Sequence, residues 1–137
     1  MFGILIVAHG KLGKSLIECA THVLGRRPEN LEPLDVTEHS DPREVASAAE
    51  MLIYELDSGD GVLVLSDVYG ATPCNTACRF LVPGRVEGIS GVNLPMLIRV
   101  LTYRHEPLDK AIIKALSGGH EGILHISQDL CDAATGR

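Results

Sequence analysis

The chain has 137 residues, 45% of them hydrophobic and 22% charged, enough for one domain with its own core. Its net charge of −6 is relieved by no basic cluster beyond the doublet Arg26–Arg27, which argues against a nucleic-acid binder. No apolar run is long enough to span a bilayer, no basic region precedes the first apolar run, and the four cysteines lack framework spacing. This pattern predicts a cytoplasmic protein with free thiols at Cys19, Cys74, Cys78 and Cys131.

In chain order, "FGILIVA" (2–8) is a nearly continuous apolar run, as expected for a strand covered on both faces. Leu12, Leu16, Ala20 and Val23 follow at helical spacing until Gly25 closes the helix. "LEPLDV" (31–36) reads as a weaker strand, and Pro33 assigns it to an edge. Asp41, Pro42 and Glu44 make a helix start, and Val45, Ala48, Ala49, Leu52, Ile53 and Leu56 give that helix an apolar face.

"GVLVLSD" (61–67) is a second buried strand leading into "VYGATPCNTACRFL", where Thr72 and Pro73 read as cap and first turn. "RVEGIS" (85–90) is a fourth strand, and 93–104 and 107–117 are two further helices, the latter closed by Gly118. "GILHIS" (122–127) reads as a late short strand and "QDLCDAATGR" (128–137) as a flexible tail. Alternating strands and helices predict one three-layer α/β domain over 1–127, with a mainly parallel open sheet and helices on both faces; if strand 2 pairs on one side of strand 1 and strand 3 on the other, the order is 2-1-3-4 and the winding reverses between strands 1 and 3.

In such a sheet ligands bind where the winding reverses, outside the carboxyl ends of the strands. His9 ends strand 1 and Asp67 ends strand 3, so two ionisable groups far apart in sequence are expected to meet there. A histidine nucleophile needs one free ring nitrogen and an acceptor for its other N–H, a role Asp67 can fill. Thr72 and the amides of the helix starting near Pro73 open onto the same crevice, where helix N-termini suit phosphate.

Three motifs in fixed order, "VAHG" (7–10), "SDVYGATPCN" (66–75) and "GVNLPML" (91–97), resemble the IIA component of the mannose-family bacterial phosphotransferase system. The resemblance runs from residue 1 to about 126 and implies a phosphoryl carrier: His9 accepts the group from the phosphocarrier protein HPr, and Asp67 partners the histidine. It further implies a phosphate-binding loop of Gly70, Ala71, Thr72 and Asn75, and a homodimer that exchanges the strand 122–127. No bound cofactor is required, because the phosphate arrives on a protein. Family members often carry paired glycines where this chain has Gly70 and Ala71, which predicts a stiffer loop. Many also continue through a linker into a IIB domain; the chain ends at Arg137, so the acceptor is expected to be a separate IIB protein or a regulatory partner.

The same residues also fit plainer roles. In these roles His9 ends a strand and bonds a carbonyl, Asp67 forms a turn, and Thr72 only caps a helix. Cys74 and Cys78, four apart, read as half-buried core thiols and not as a metal pair. The competing function is a small tetrapyrrole or cobalt chelatase that binds metal through His9, with His120 or His125 completing the site. No GxxxxGK[ST] loop or dinucleotide fingerprint is present, which argues against nucleotide-dependent chemistry.

Overall fold

The computed structural model describes residues 1–136. Its elements alternate: β1 (Gly3–His9), α1 (Leu12–Leu24), β2 (Leu31–Val36), α2 (Pro42–Leu56), β3 (Val62–Ser66), α3 (Thr72–Cys78) and β4 (Val86–Ser90). Three helices follow, α4 (Leu94–Thr102), α5 (Leu108–Glu121) and α6 (Gln128–Thr135). The four strands pair in parallel in the order β2-β1-β3-β4, as expected, and Pro33 lies on an edge strand.

Side-chain alternation along the strands sorts the core into two layers. Ile4, Ile6 and Ala8 of β1 and Leu63 and Leu65 of β3 pack on one face with Ile17, Leu97, Val100 and Ala111 from α1, α4 and α5. Leu5, Val7, Val62 and Val64 point to the other face, against Val45, Ile53 and Leu56 of α2 and Ala77 of α3. Both faces of the two central strands are therefore dry, which explains their unbroken apolar runs. Each fully buried Leu or Ile side chain contributes about 1.5–3 kcal/mol.

Three expectations need correction. Helix α5 does not stop at Gly118 but runs through it to Glu121. The glycines there let two helices approach: a Cβ on Gly118 would stand 2.6 Å from Cβ of Arg99, and one on Gly119 2.9 Å from Cε of Met96. Residues 123–127 form no strand within the chain and leave Ile123, Leu124 and Ile126 largely exposed. The segment expected to be a flexible tail holds α6, whose Ser127 side chain accepts from the Leu130 amide; none of the helix is buried.

Candidate functional site

The winding reverses between β1 and β3, and the crevice at their carboxyl ends is built by the sheet register. Val7 pairs with Ser66, so the next residues of both strands emerge side by side. One step beyond Ser66 is Asp67, and two beyond Val7 is His9. Asp67 Oδ2 lies 2.8 Å from His9 Nδ1 and accepts the His9 backbone amide at 3.1 Å. Its other oxygen, Oδ1, accepts from the Val68 amide at 3.0 Å. The structure thus brings together the two side chains the sequence singles out.

Burial is the largest influence on the Asp67 carboxyl and pushes it upward, but the bonds from the His9 ring and amide outweigh it and hold the group below its ordinary value. An ionised carboxylate only accepts, so Nδ1 of His9 carries the ring proton. In the neutral ring this tautomer leaves the lone pair on Nε2. The Asp67 side chain is 9% exposed whereas that of His9 is 53% exposed, so the acceptor is inside and the free nitrogen outside.

The remaining expected residues lie on the loop and helix directly after Asp67. They bond among themselves and not to His9: Asn75 Nδ2 donates to the Gly70 carbonyl at 3.1 Å and the Asn75 amide to the Ala71 carbonyl at 2.9 Å. The helix begins one residue earlier than a Thr72 cap requires. Ala71 holds the cap position without a side-chain bond, and Thr72 is the first helical residue. Its hydroxyl, on an exposed residue, makes no hydrogen bond among the described residues. Gly70 has φ +84°, a conformation that favours glycine, whereas Ala71 at φ −84° is open to any residue. Alanine at position 71 therefore costs no strain.

Sequence reasoning missed Ser66. It is 3% exposed, and its Oγ has no hydrogen-bond partner among the described residues. It lines a cavity of about 220 Å³ with Tyr69, Cys74, Cys78 and Ser90. The available signal was a hydroxyl residue ending an otherwise apolar strand. Cys74 is buried and Cys78 exposed; desolvation, then the neighbouring Cys74, pushes the Cys78 thiol up and keeps it protonated. His120 and His125 are exposed, and no cluster of three His, Cys, Asp or Glu able to hold a metal occurs among the described residues. The chelatase reading is not favoured. Among the described residues, no helix is long and apolar enough to cross a membrane.

The mannose-specific EIIAB component of the phosphotransferase system (PTS) from Escherichia coli strain K12 is 32% identical over 123 residues, 88% of this chain and 38% of that protein. The chain thus spans well under half the length of that relative. The fructose-specific EIIA component of Bacillus subtilis is 26% identical over 117 residues, 85% of this chain and 80% of that protein. Among solved structures, phosphotransferase system component EIIA from Streptococcus agalactiae superposes with TM-score 0.81 at 25% identity, covering 91% of this chain and 97% of that one. The PTS IIA protein associated with the fucose utilization operon of Streptococcus pneumoniae shares the fold, with TM-score 0.82 at 24% identity over 93% of this chain and 95% of that one. Residues 3–117 match the family described as PTS system fructose IIA component, EIIA-man, and the chain belongs to that family.

Proposed function

We propose that this protein is a phosphoryl carrier of the sugar phosphotransferase system that takes its phosphate on Nε2 of His9. The observation that carries the reading is the opposed state of the two ring nitrogens: Nδ1 is bound to Asp67 at 2.8 Å while the exposed side leaves Nε2 open. The Nε2 lone pair attacks phosphorus of phospho-HPr, the N–P bond of the donor breaks, and the donor imidazole recovers that electron pair. His9 then carries the phosphoryl group on one nitrogen and a proton on the other, so its ring gains positive character. Asp67, ionised and behind the ring, offsets that charge without facing the phosphoryl oxygens.

Thr72, with the Gly70 amide, supplies donors for those oxygens, and Asn75 holds the loop in shape. The group passes to a IIB protein, or the phosphorylated form acts as a regulator of a partner. The protein works in the cytoplasm as a homodimer in which the exposed segment 122–127 is exchanged; the unpartnered apolar side chains of Ile123, Leu124 and Ile126 support this.

Incubation with enzyme I, HPr and phosphoenolpyruvate tests the assignment. A single acid-labile phosphate is expected on the wild type and none on His9→Ala. Equal labelling of the variant sinks the assignment.

A further inference from the structure

At the opposite end of the sheet from His9 lies a cavity of about 450 Å³ lined by Arg26, Arg27, Glu29, Arg104 and His105, among others. The charge pattern there runs against the rest of the chain: three arginines face one carboxylate in a protein of net charge −6. Arg104 is the deepest of them, 5% exposed. Its Nε donates to the Phe2 carbonyl at 3.0 Å, its Nη2 to the Asn30 carbonyl at 2.6 Å, and its guanidinium lies 5.6 Å from the Phe2 ring. No carboxylate lies within ion-pairing distance of it among the described residues, and its hydrogen bonds there use Nε and Nη2 only, leaving Nη1 free to meet solvent or a ligand. Arg26 is likewise unpaired, while Arg27 is held by the Leu31 carbonyl at 3.2 Å and only loosely by Glu32 at 3.9 Å.

A buried cation without a counter-ion is costly unless the protein compensates it. Desolvation lowers Arg104 to about 10, with nearby Glu29 only partly opposing it, so the site as it stands destabilises its own charge. An arriving anion would relieve that cost. Guanidinium forks match phosphate geometry, and the cavity exceeds what inorganic phosphate alone would fill, leaving room for an organic body.

We propose that the cavity around Arg104, Arg26 and Arg27 binds a small phosphorylated metabolite through its phosphate group. The site lies beside Phe2 and Asn30, which precede β1 and β2, so it is roughly 20 Å from His9 along β1. It is a second anion site, independent of the phosphohistidine assignment, and is tested on unphosphorylated protein.

Amide chemical shifts are followed while the full chain is titrated with glucose 6-phosphate, with inorganic phosphate, and with potassium chloride at matched ionic strength. The expected result is a saturable response at residues 26–29 and 104–105 with the sugar phosphate, dissociating in about the millimolar range. Inorganic phosphate should shift the same amides more weakly, and chloride should not. The double variant Arg26→Gln/Arg27→Gln, confined to exposed side chains, should weaken binding about tenfold. Arg104→Lys, which keeps charge but loses the fork, should weaken it too if the variant folds; the exposed double variant decides the matter if it does not. The proposal is overturned by the absence of a saturable response, by an equal response to chloride, by shifts centred on His9, or by a double variant that binds as the wild type does.

Discussion

One oxygen of Asp67 holds His9 twice, by the ring nitrogen Nδ1 at 2.8 Å and by the backbone amide at 3.1 Å. The second contact fixes the backbone from which the ring projects, so the carboxylate sets both the tautomer and the direction of the imidazole. Asp67→Asn keeps the shape but loses the charge that offsets a phosphorylated ring. The expected result is a fall of about 10- to 100-fold in the rate of phosphate uptake from phospho-HPr, the scale on which orienting partners of histidine act. Single-turnover transfer kinetics measure it. A variant that transfers at the wild-type rate would assign Asp67 to fold maintenance alone.

The same carboxylate makes stability depend on pH. Its folded value lies below the ordinary 3.8, so the folded protein binds fewer protons than the unfolded chain in the interval between the two. The contribution of Asp67 is therefore complete above that ordinary value and fades as the pH falls through the lower, folded one. Urea unfolding of wild type and Asp67→Asn from pH 7 to strongly acidic solution should show a gap that closes below about pH 4. Some acid sensitivity should persist in the variant. Asp57 is also lowered: burial opposes the shift, but the Gly59 and Gly61 amides and the Arg85 guanidinium at 2.7 Å outweigh it.

Ser66 has a buried hydroxyl with no partner, and Ser66→Ala removes a desolvated polar group while leaving a small void. The variant should be as stable as the wild type or more stable by up to about 1 kcal/mol. The urea midpoint reads this directly. A loss of stability would mean that the hydroxyl has a bonding role.

Removing the apolar side chains of the 123–127 segment should leave the fold intact, because Ile123 and Ile126 are each 74% exposed within the chain. Ile123→Asp/Ile126→Asp should keep its circular dichroism spectrum and shift a dimer to monomer in sedimentation experiments. A dimer unaffected by both charges would place its interface elsewhere.

Much of the site was legible because it depends on strand ends, which apolar runs mark well. His9 and Asp67 close two strongly apolar runs, and once those runs pair as neighbours, as they do, the site falls at their carboxyl ends. The misreadings came where tertiary contacts override local signals. Gly118 resembles a helix stop, yet it serves the close approach of α5 to Arg99 of α4. Thr72 and Pro73 resemble a cap and first turn, but the backbone turns one residue sooner, at Ala71. Arg104 left no trace in the local pattern, because its partners are carbonyls 102 and 74 positions away.

The parallel pairing of β1 with β3 has a consequence for synthesis. His9 leaves the ribosome early, but the oxygen that orients it arrives 58 residues later. Until β3 has been made and docked, the imidazole has no fixed tautomer and no neighbour to balance a phosphorylated ring. Under the proposed role of His9, a chain released before β3 presents the imidazole without the carboxylate that orients it, so phosphate uptake is expected only once the sheet has closed.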